Sequence, residues 1–297
     1  MIHKFRKQVL LESGNLRQQA RLRSASGPGS AGFLCAIPSE PALSLNNMQM
    51  EGAVKLRLGL SPITVREDPS LKCVCGGPTH VDHLLTCKRG DEVCNRHNNM
   101  VQTWTSLLKK SSIRSIFSIE RSLISLGVLN SDDCGKRIDI VESSSSAKSI
   151  LADVTICHSS PLNEQSLKKF SRSDGSAAAA AEKRKINIYG KAAKEVNADF
   201  IPLAVETYGR WGNQALQYSR ERLKEFANNL EFEGQADRGL LNKLQRYWWS
   251  SLSCCLQKGN VAIINRRYFR ALEMKYGKRF LMKKFSVKLI LDRTSTV

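Results

Sequence analysis

The sequence predicts an α/β protein in which a mixed sheet is flanked by helices and preceded by a small metal-binding module. Segments rich in β-branched residues predict four strands, near residues 116–120, 136–142, 150–158 and 200–207. Stretches with helical spacing of apolar residues surround these strands. A cluster of cysteine and histidine residues comes before the first strand.

Residues 1–70 begin as a basic helix-like stretch and end in a short helix near residues 50–58, so we expect them to be the tail of a larger unit. An amphipathic helix follows the cysteine–histidine cluster, because apolar residues recur there at helical spacing: Val93, Met100, Val101, Trp104, Leu107 and Leu108. Trp104 is expected to pack in the core rather than to stack on a base. His97, on the same helix, is expected to be a buried or capping residue rather than a fifth metal ligand.

An alanine tract at residues 177–181, followed by charged residues, strongly favours a helix over residues 176–196. The segment before it, residues 159–176, is polar and is expected to be mobile. Further helices are predicted beyond residue 212 and within residues 240–274, with packing anchors at Tyr247, Trp248 and Trp249. The stretch from Arg266 to Val297 is strongly basic, and its composition suits either a phosphate-tracking tail or a poorly packed appendage.

Two lone acids, Asp139 and Asp153, occupy the second and third predicted strands. Each alternates with apolar neighbours, and the polar connector at residues 141–148 suits a hairpin. The two carboxylates can therefore face each other and hold a hard cation such as Mg²⁺, which polarises a phosphate and activates water. Two solvated acids on an exposed sheet face would have the same spacing, so the spacing leaves both interpretations open.

Cysteines and histidines upstream have the spacing of a zinc site. Cys73 and Cys75 lie on a Gly/Pro turn, and His83 and Cys87 are four residues apart, as on one turn of a helix. Three thiolates and one imidazole complete a closed tetrahedral shell, which is typical of structural zinc. His80 is the alternative imidazole, and free cysteines near a loop are the alternative to a metal site. The CxC pair is less specific than the commoner CxxC.

The composition favours a polyanionic partner inside the cell. The chain has 297 residues, of which 41% are hydrophobic, and a formal net charge of +19. It can therefore bury a full core, and its charge attracts DNA, RNA or an acidic lipid surface. Neither a secretory segment nor an apolar run of about 18 residues is apparent. We expect a reduced, intracellular protein with no membrane partner.

Nucleotide-dependent chemistry is not predicted. The sequence contains no phosphate-binding loop of the GxxxxGK[ST] kind. The adjacent acids Asp132 and Asp133 lack the apolar hairpin that a polymerase metal site requires, and a turn is the simpler interpretation.

From about Arg23 to about Arg267, the chain resembles the carboxy-terminal part of non-LTR retrotransposon proteins that carry a restriction-like endonuclease of the PD-(D/E)xK superfamily. The resemblance consists of an ordered set of landmarks: the glycine-rich segment 27–38, residues 56–60, the cysteine–histidine cluster, Arg96-His97-Asn98, Glu120, Asp139, Asp153, a lysine ahead of Tyr189, the segment 200–209 and Gly259-Asn260. Each landmark alone is weak, but the ordered set is specific.

The resemblance implies a role for each matching residue. Asp139 and Asp153 match the two metal-binding acids, although Ile138 stands where proline is usual. Thr155 occupies the standard position of the lysine, which in this branch of the superfamily lies on the following helix. The best match there is Lys185, with Lys183 as its competitor: a lysine at this position would hold the attacking water or neutralise charge on the phosphate.

Two interpretations remain for each of two further acids, Glu120 and Glu206. Glu120 either orients the metal shell from the preceding strand or is an N-terminal helix charge. Glu206 either supports the metal shell from behind or closes a turn at Gly209.

The resemblance also implies an organisation and a function. Residues 1–70 would be a linker or thumb-like helical remnant, 71–100 a CCHC zinc knuckle, 101–232 the restriction-like endonuclease core, and 233–297 C-terminal helices with a basic tail. The chain would be a Mg²⁺-dependent endonuclease that nicks target DNA in the nucleus, with structural Zn²⁺ and with element RNA as a further candidate partner. The alternatives are an inactive, zinc-stabilised nucleic-acid-binding remnant and a protein-interaction module with basic faces.

Overall fold

The computed structural model describes residues 2–62, 68, 70–112, 115–129, 135–144, 147–232 and 239–277. The helices in this part of the chain are α1 (Ile2–Ser13), α2 (Leu16–Ala25), α3 (Asn47–Leu58), α4 (Val81–Thr86), α5 (Glu92–Ser111), α6 (Glu164–Arg172), α7 (Ser176–Glu195), α8 (Asn213–Phe232) and α9 (Leu240–Tyr276). The strands are β1 (Ser115–Ser122), β2 (Arg137–Ser144), β3 (Ile150–Cys157) and β4 (Asp199–Glu206). The predicted strands and the helix at 176–196 are confirmed, each to within a few residues.

The strands form one sheet in the order β1-β2-β3-β4. The first two pairs, β1 with β2 and β2 with β3, are antiparallel, whereas β3 and β4 are parallel. Parallel neighbours need a long crossover, and α6 and α7 supply it. The prediction of a mixed sheet flanked by helices is therefore confirmed.

The two faces of the sheet pack against different helices. On one face, α5, α8 and α9 enclose a core that includes Trp104, Ile140, Val154, Leu203, Trp248 and Leu252. On the other face, α7 covers a smaller core of Val141, Leu151, Tyr189, Ala192 and Ala193. Since side chains alternate along a strand, Val141 and Leu151 lie on the α7 face while their neighbours Ile140 and Ala152 lie on the other. Trp104 and Trp248 are packing residues, as predicted.

The long helix α9 unites segments that are distant in sequence. One apolar cluster joins it to the N-terminal region and to the cysteine–histidine module: Phe33, Leu56, Leu71, Leu84, Val261, Ile264 and Tyr268. Buried Arg267 of α9 donates hydrogen bonds to the carbonyl oxygens of Leu84 and Arg89 and pairs with Glu92. The segments assigned from sequence to 1–70, 71–100 and 233–297 thus share one core.

A buried polar contact joins α5 to the middle of α9. The Arg96 guanidinium donates to Asn260 Oδ1 at 2.7 Å, and Asn260 Nδ2 donates to the Thr207 carbonyl at 2.8 Å. Gly259 leaves room for this arginine, because a Cβ at that position would lie 2.5 Å from Arg96 Cγ. Three of the sequence landmarks, at Arg96, Thr207 and Gly259-Asn260, therefore meet in one place.

The segment between β3 and α7 differs from its prediction. Residues expected to be mobile form α6, where the Asn163 side chain accepts from Ser166 N at 2.9 Å and Leu167 is buried. The Asn163 N-cap, the burial of Leu167 and the contacts between α6 and α2 explain why this polar stretch is ordered. The predicted turn at Asp132-Asp133 and the tail beyond residue 277 lie outside the described residues. None of the helices described here is long and apolar enough to span a membrane.

Two glycine-to-alanine substitutions should have opposite effects on stability. Gly259→Ala forces a methyl group into buried Arg96 and should lower the free energy of unfolding by about 1–3 kcal/mol. Gly190→Ala, within α7, meets only Ile186 at 3.6 Å and should raise that free energy by about 0.5–1 kcal/mol through helix propensity. Urea unfolding would measure both, and equal effects would contradict this packing.

Candidate metal centres

The sheet brings the two lone acids together. Ile140 of β2 pairs with Ala152 of β3 at the end of the antiparallel ladder, and Asp139 and Asp153 are the adjacent residues on the two strands. The charge of Asp139 raises the pKa of Asp153, so the two carboxylates are close to each other. Asp139 Oδ2 accepts a hydrogen bond from the backbone N–H of Val154 at 2.7 Å, which holds its carboxylate against β3.

Helix α7 carries a lysine to this acid pair. Lys185 Nζ lies 2.8 Å from Asp153 Oδ2, whereas its competitor Lys183 is exposed. The position of the helix is set at its first turn, where the N–H of Ala178 donates to Glu206 Oε1 at 3.1 Å. Glu206 also accepts from Gly209 N through its backbone carbonyl at 2.7 Å. Glu206 therefore closes the turn and caps α7, and it acts on the acid pair only through the helix.

Asp153 is in an unfavourable environment for a carboxylate. Its side chain is 3% exposed. Burial, and then the negative charge of Asp139, raise its pKa from the ordinary value of 3.8 to about 6, against the opposing effect of Lys185. Two carboxylates in such a place favour a bound cation. The two carboxylates offer the oxygen ligands that a hard divalent cation takes, whereas the Lys185 ammonium has no lone pair and is not a ligand.

His97 of α5 is a member of this site that the sequence expectation did not place there. Its Nε2 lies 3.3 Å from Asp139 Oδ1, and its side chain is 33% exposed, so it is neither fully buried nor a helix cap. The hydrogen bond with Asp139 raises the pKa of His97, although burial opposes this. The Arg96-His97-Asn98 landmark marked the position, but no spacing rule connects α5 to the acid on β2.

Glu120 lies at the margin of the site. The β1–β2 register sets it opposite Asp139, but its backbone has φ +50°, a left-handed conformation that is rare for a residue with a side chain. Its carboxylate is 3.8 Å from Arg137, and both side chains are more than half exposed. Among the described residues, Glu120 forms an ion pair with Arg137 and not with Lys185 or His97.

The predicted cysteine–histidine cluster assembles as a second centre. One ligand atom each from Cys73, Cys75, His83 and Cys87 lies within 4.8 Å of the others. The Sγ atoms of Cys73 and Cys87 are 3.9 Å apart, close to the separation of about 3.8 Å that tetrahedral zinc with bonds of about 2.3 Å imposes. These four residues could therefore bind a metal such as zinc.

Local geometry selects His83 over His80. The turn from Cys73 to Gly77 has Gly76 at φ +85°, and a Cβ on Gly77 would lie 2.6 Å from the His83 ring. His80 instead accepts a hydrogen bond at Nδ1 from the backbone N–H of His83 at 3.3 Å, which caps α4. The alternative imidazole thus supports the helix that carries the ligand.

Asp82, between these two histidines, links the module to the sheet. Its carboxylate accepts from Arg17 at 2.9 Å and from Tyr208 at 3.3 Å, and lies 3.0 Å from His158 Nε2. Burial raises the pKa of Asp82, but the hydrogen bond and charge of His158 and the charge of Arg17 outweigh this and lower it overall. The module is therefore held to the ends of β3 and β4 by a charged network.

The fold and its two clusters define a mixed α/β protein with a Cys₃His group suited to a metal such as zinc. No protein-family model matches the chain, and no curated protein has a significantly similar sequence.

Zinc content should depend on the four clustered residues alone. Cys75→Ser and Cys87→Ser should each reduce bound zinc from one ion per chain to nearly none, because a closed structural shell needs all four ligands. Cys94→Ser, which changes an exposed cysteine outside the cluster, should keep it. A colorimetric chelator added after denaturation measures the metal, and loss of zinc in the Cys94 variant would contradict the assignment.

Asp153→Asn should stabilise the metal-free protein at neutral pH. The pKa of Asp153 is higher in the folded than in the unfolded protein. Ionisation of this acid therefore leaves the free energy of unfolding unchanged below about pH 4 and lowers it by the full amount above about pH 6. Removing the charge should raise the free energy of unfolding by about 2 kcal/mol near pH 7.5, and the gain should vanish near pH 4.

Urea unfolding without added magnesium, at both pH values, would test this. Asp82→Asn is the matched control, because the pKa of Asp82 is lowered and its charge is stabilising. That variant should be less stable near pH 7.5. An Asp153→Asn protein less stable than the parent at this pH would show that the buried charge is well compensated.

Proposed function

We propose that this protein is a metal-dependent DNA endonuclease that hydrolyses phosphodiester bonds, with a structural zinc module beside its nuclease core. The observation that carries the proposal is the convergence of Asp139, Asp153 and Lys185 from β2, β3 and α7. The 2.8 Å contact between Lys185 and Asp153 joins residues 32 positions apart. An isolated pair of solvated acids would not require a buried carboxylate.

The proposed cation is Mg²⁺, held by the carboxylates of Asp139 and Asp153. When bound, it would polarise the scissile phosphate and lower the pKa of a water molecule. Neighbouring groups of the chain orient and shield these carboxylates. The backbone N–H of Val154 orients Asp139, and the burial of Asp153 keeps competing water away from its carboxylate.

Lys185 would act on the phosphate. Its ammonium is held by Asp153 and lies 5.4 Å from the centre of the Tyr189 ring, so its long side chain has a defined direction. From there it would stabilise negative charge on the phosphate or hold the attacking water. Thr155, where the superfamily usually has its lysine, is buried in β3 opposite Ala204. Lys185 would take the place of that lysine, since it reaches Asp153 from α7 instead of from β3.

The charge of the chain supports nucleic acid as the substrate. A formal charge of +19 gives long-range attraction to phosphate backbones. The binding-only alternative would be favoured by a large distance between Lys185 and the acids. The short distance observed favours hydrolysis instead.

Nicking of supercoiled DNA in Mg²⁺ tests the proposal. Asp139→Ala, Asp153→Ala and Lys185→Ala should each reduce the rate by at least about 100-fold, because each removes a group at the reacting phosphate. Their affinity for DNA, measured without magnesium, should change little. Lys183→Ala is the matched control, since this lysine is exposed on the same helix. Undiminished nicking by both aspartate variants would refute the assignment.

A further inference from the structure

His97 approaches the acid pair from the opposite side to Lys185. It lies on α5, in the helix layer of the larger core, whereas Lys185 lies on α7. Its ring nitrogen Nε2 is 3.3 Å from Asp139 Oδ1. The hydrolytic roles of the two acids and the lysine do not use this residue.

The contact completes a set of two hydrogen bonds on Asp139. Val154 N–H donates to Oδ2 at 2.7 Å, and His97 Nε2 can donate to Oδ1. One donor belongs to the adjacent strand and the other to a helix, so together they fix both the position and the plane of the carboxylate. Each oxygen has two lone-pair directions, and one on each remains available for a cation.

The helix that carries His97 is firmly anchored next to it. Arg96 is buried and bonded to Asn260, and Met100 and Trp104 on α5 are fully buried. The imidazole therefore projects from a rigid element. Groups that orient a metal ligand in this way commonly contribute to metal affinity without touching the metal.

We propose that His97 is a positioning residue, which donates from Nε2 to Asp139 and so orients this carboxylate to bind a divalent cation. The inference rests on the proposed function, because it assumes that Asp139 and Asp153 hold the metal. It assigns His97 to the nuclease centre and not to the zinc module, although it lies only ten residues after Cys87 in the sequence.

The test is Mn²⁺ binding by the full, zinc-loaded chain, followed by the electron paramagnetic resonance signal of free Mn²⁺. His97→Ala should weaken binding by about tenfold. His97→Gln keeps a donor of similar reach and should recover most of the affinity. Asn99→Ala, an exposed neighbour on α5, is the matched control and should bind as the parent does. The Asp139→Ala protein gives the background from other sites.

The outcomes separate this inference from the proposed function. Equal Mn²⁺ affinity in the parent and in His97→Ala would overturn the role of His97 and leave the acid pair as the metal site. A parent that binds no more Mn²⁺ than Asp139→Ala does would overturn both proposals. Equal loss in His97→Ala and His97→Gln, with lowered thermal stability in both, would show that His97 only maintains the fold. Nicking by His97→Ala that recovers at high Mn²⁺ would support orientation of the ligand.

Discussion

The contact between α7 and the parallel pair β3–β4 is the constraint on which the candidate nuclease centre depends. Only a parallel pair requires a crossover, and this crossover returns α7 across the face on which Asp153 lies. The alanines of α7 allow the helix to approach the sheet closely, and the cap from Glu206 sets its position along it. As a result, Lys185 reaches an acid that it would not meet in any local arrangement of the chain.

The environment of Asp153 lowers the stability of the folded protein. A carboxylate that is buried beside another carboxylate is unstable in its charged form, and Lys185 and His97 compensate for this only in part. Carboxylates with raised pKa values cluster at functional sites, which is why a metal site is proposed here. The cysteine–histidine cluster has the opposite character, since its four residues could close a shell around a metal such as zinc, and the charge of neighbouring Asp82 is stabilised by surrounding donors.

The structure also explains why the landmarks are dispersed along the sequence. Arg96, Thr207 and Gly259-Asn260 meet around one buried arginine, and the glycine-rich segment packs against the same end of the molecule, with Gly32 beside the backbone of Trp249. Several of these residues support the scaffold and take no part in metal binding. These landmarks are therefore explained by packing, without any chemical role.

Local pattern alone determined the strands, the helix carrying Lys185 and the candidate zinc ligands, with His80 as the alternative imidazole, because periodicity and short spacing act within about one turn or one hairpin. Tertiary structure decided the rest. It placed His97 beside Asp139, used His80 as a cap, left Glu120 at the margin and ordered α6. These outcomes depend on how separate elements pack, and the position of one element relative to another is not encoded in the spacing of residues within either.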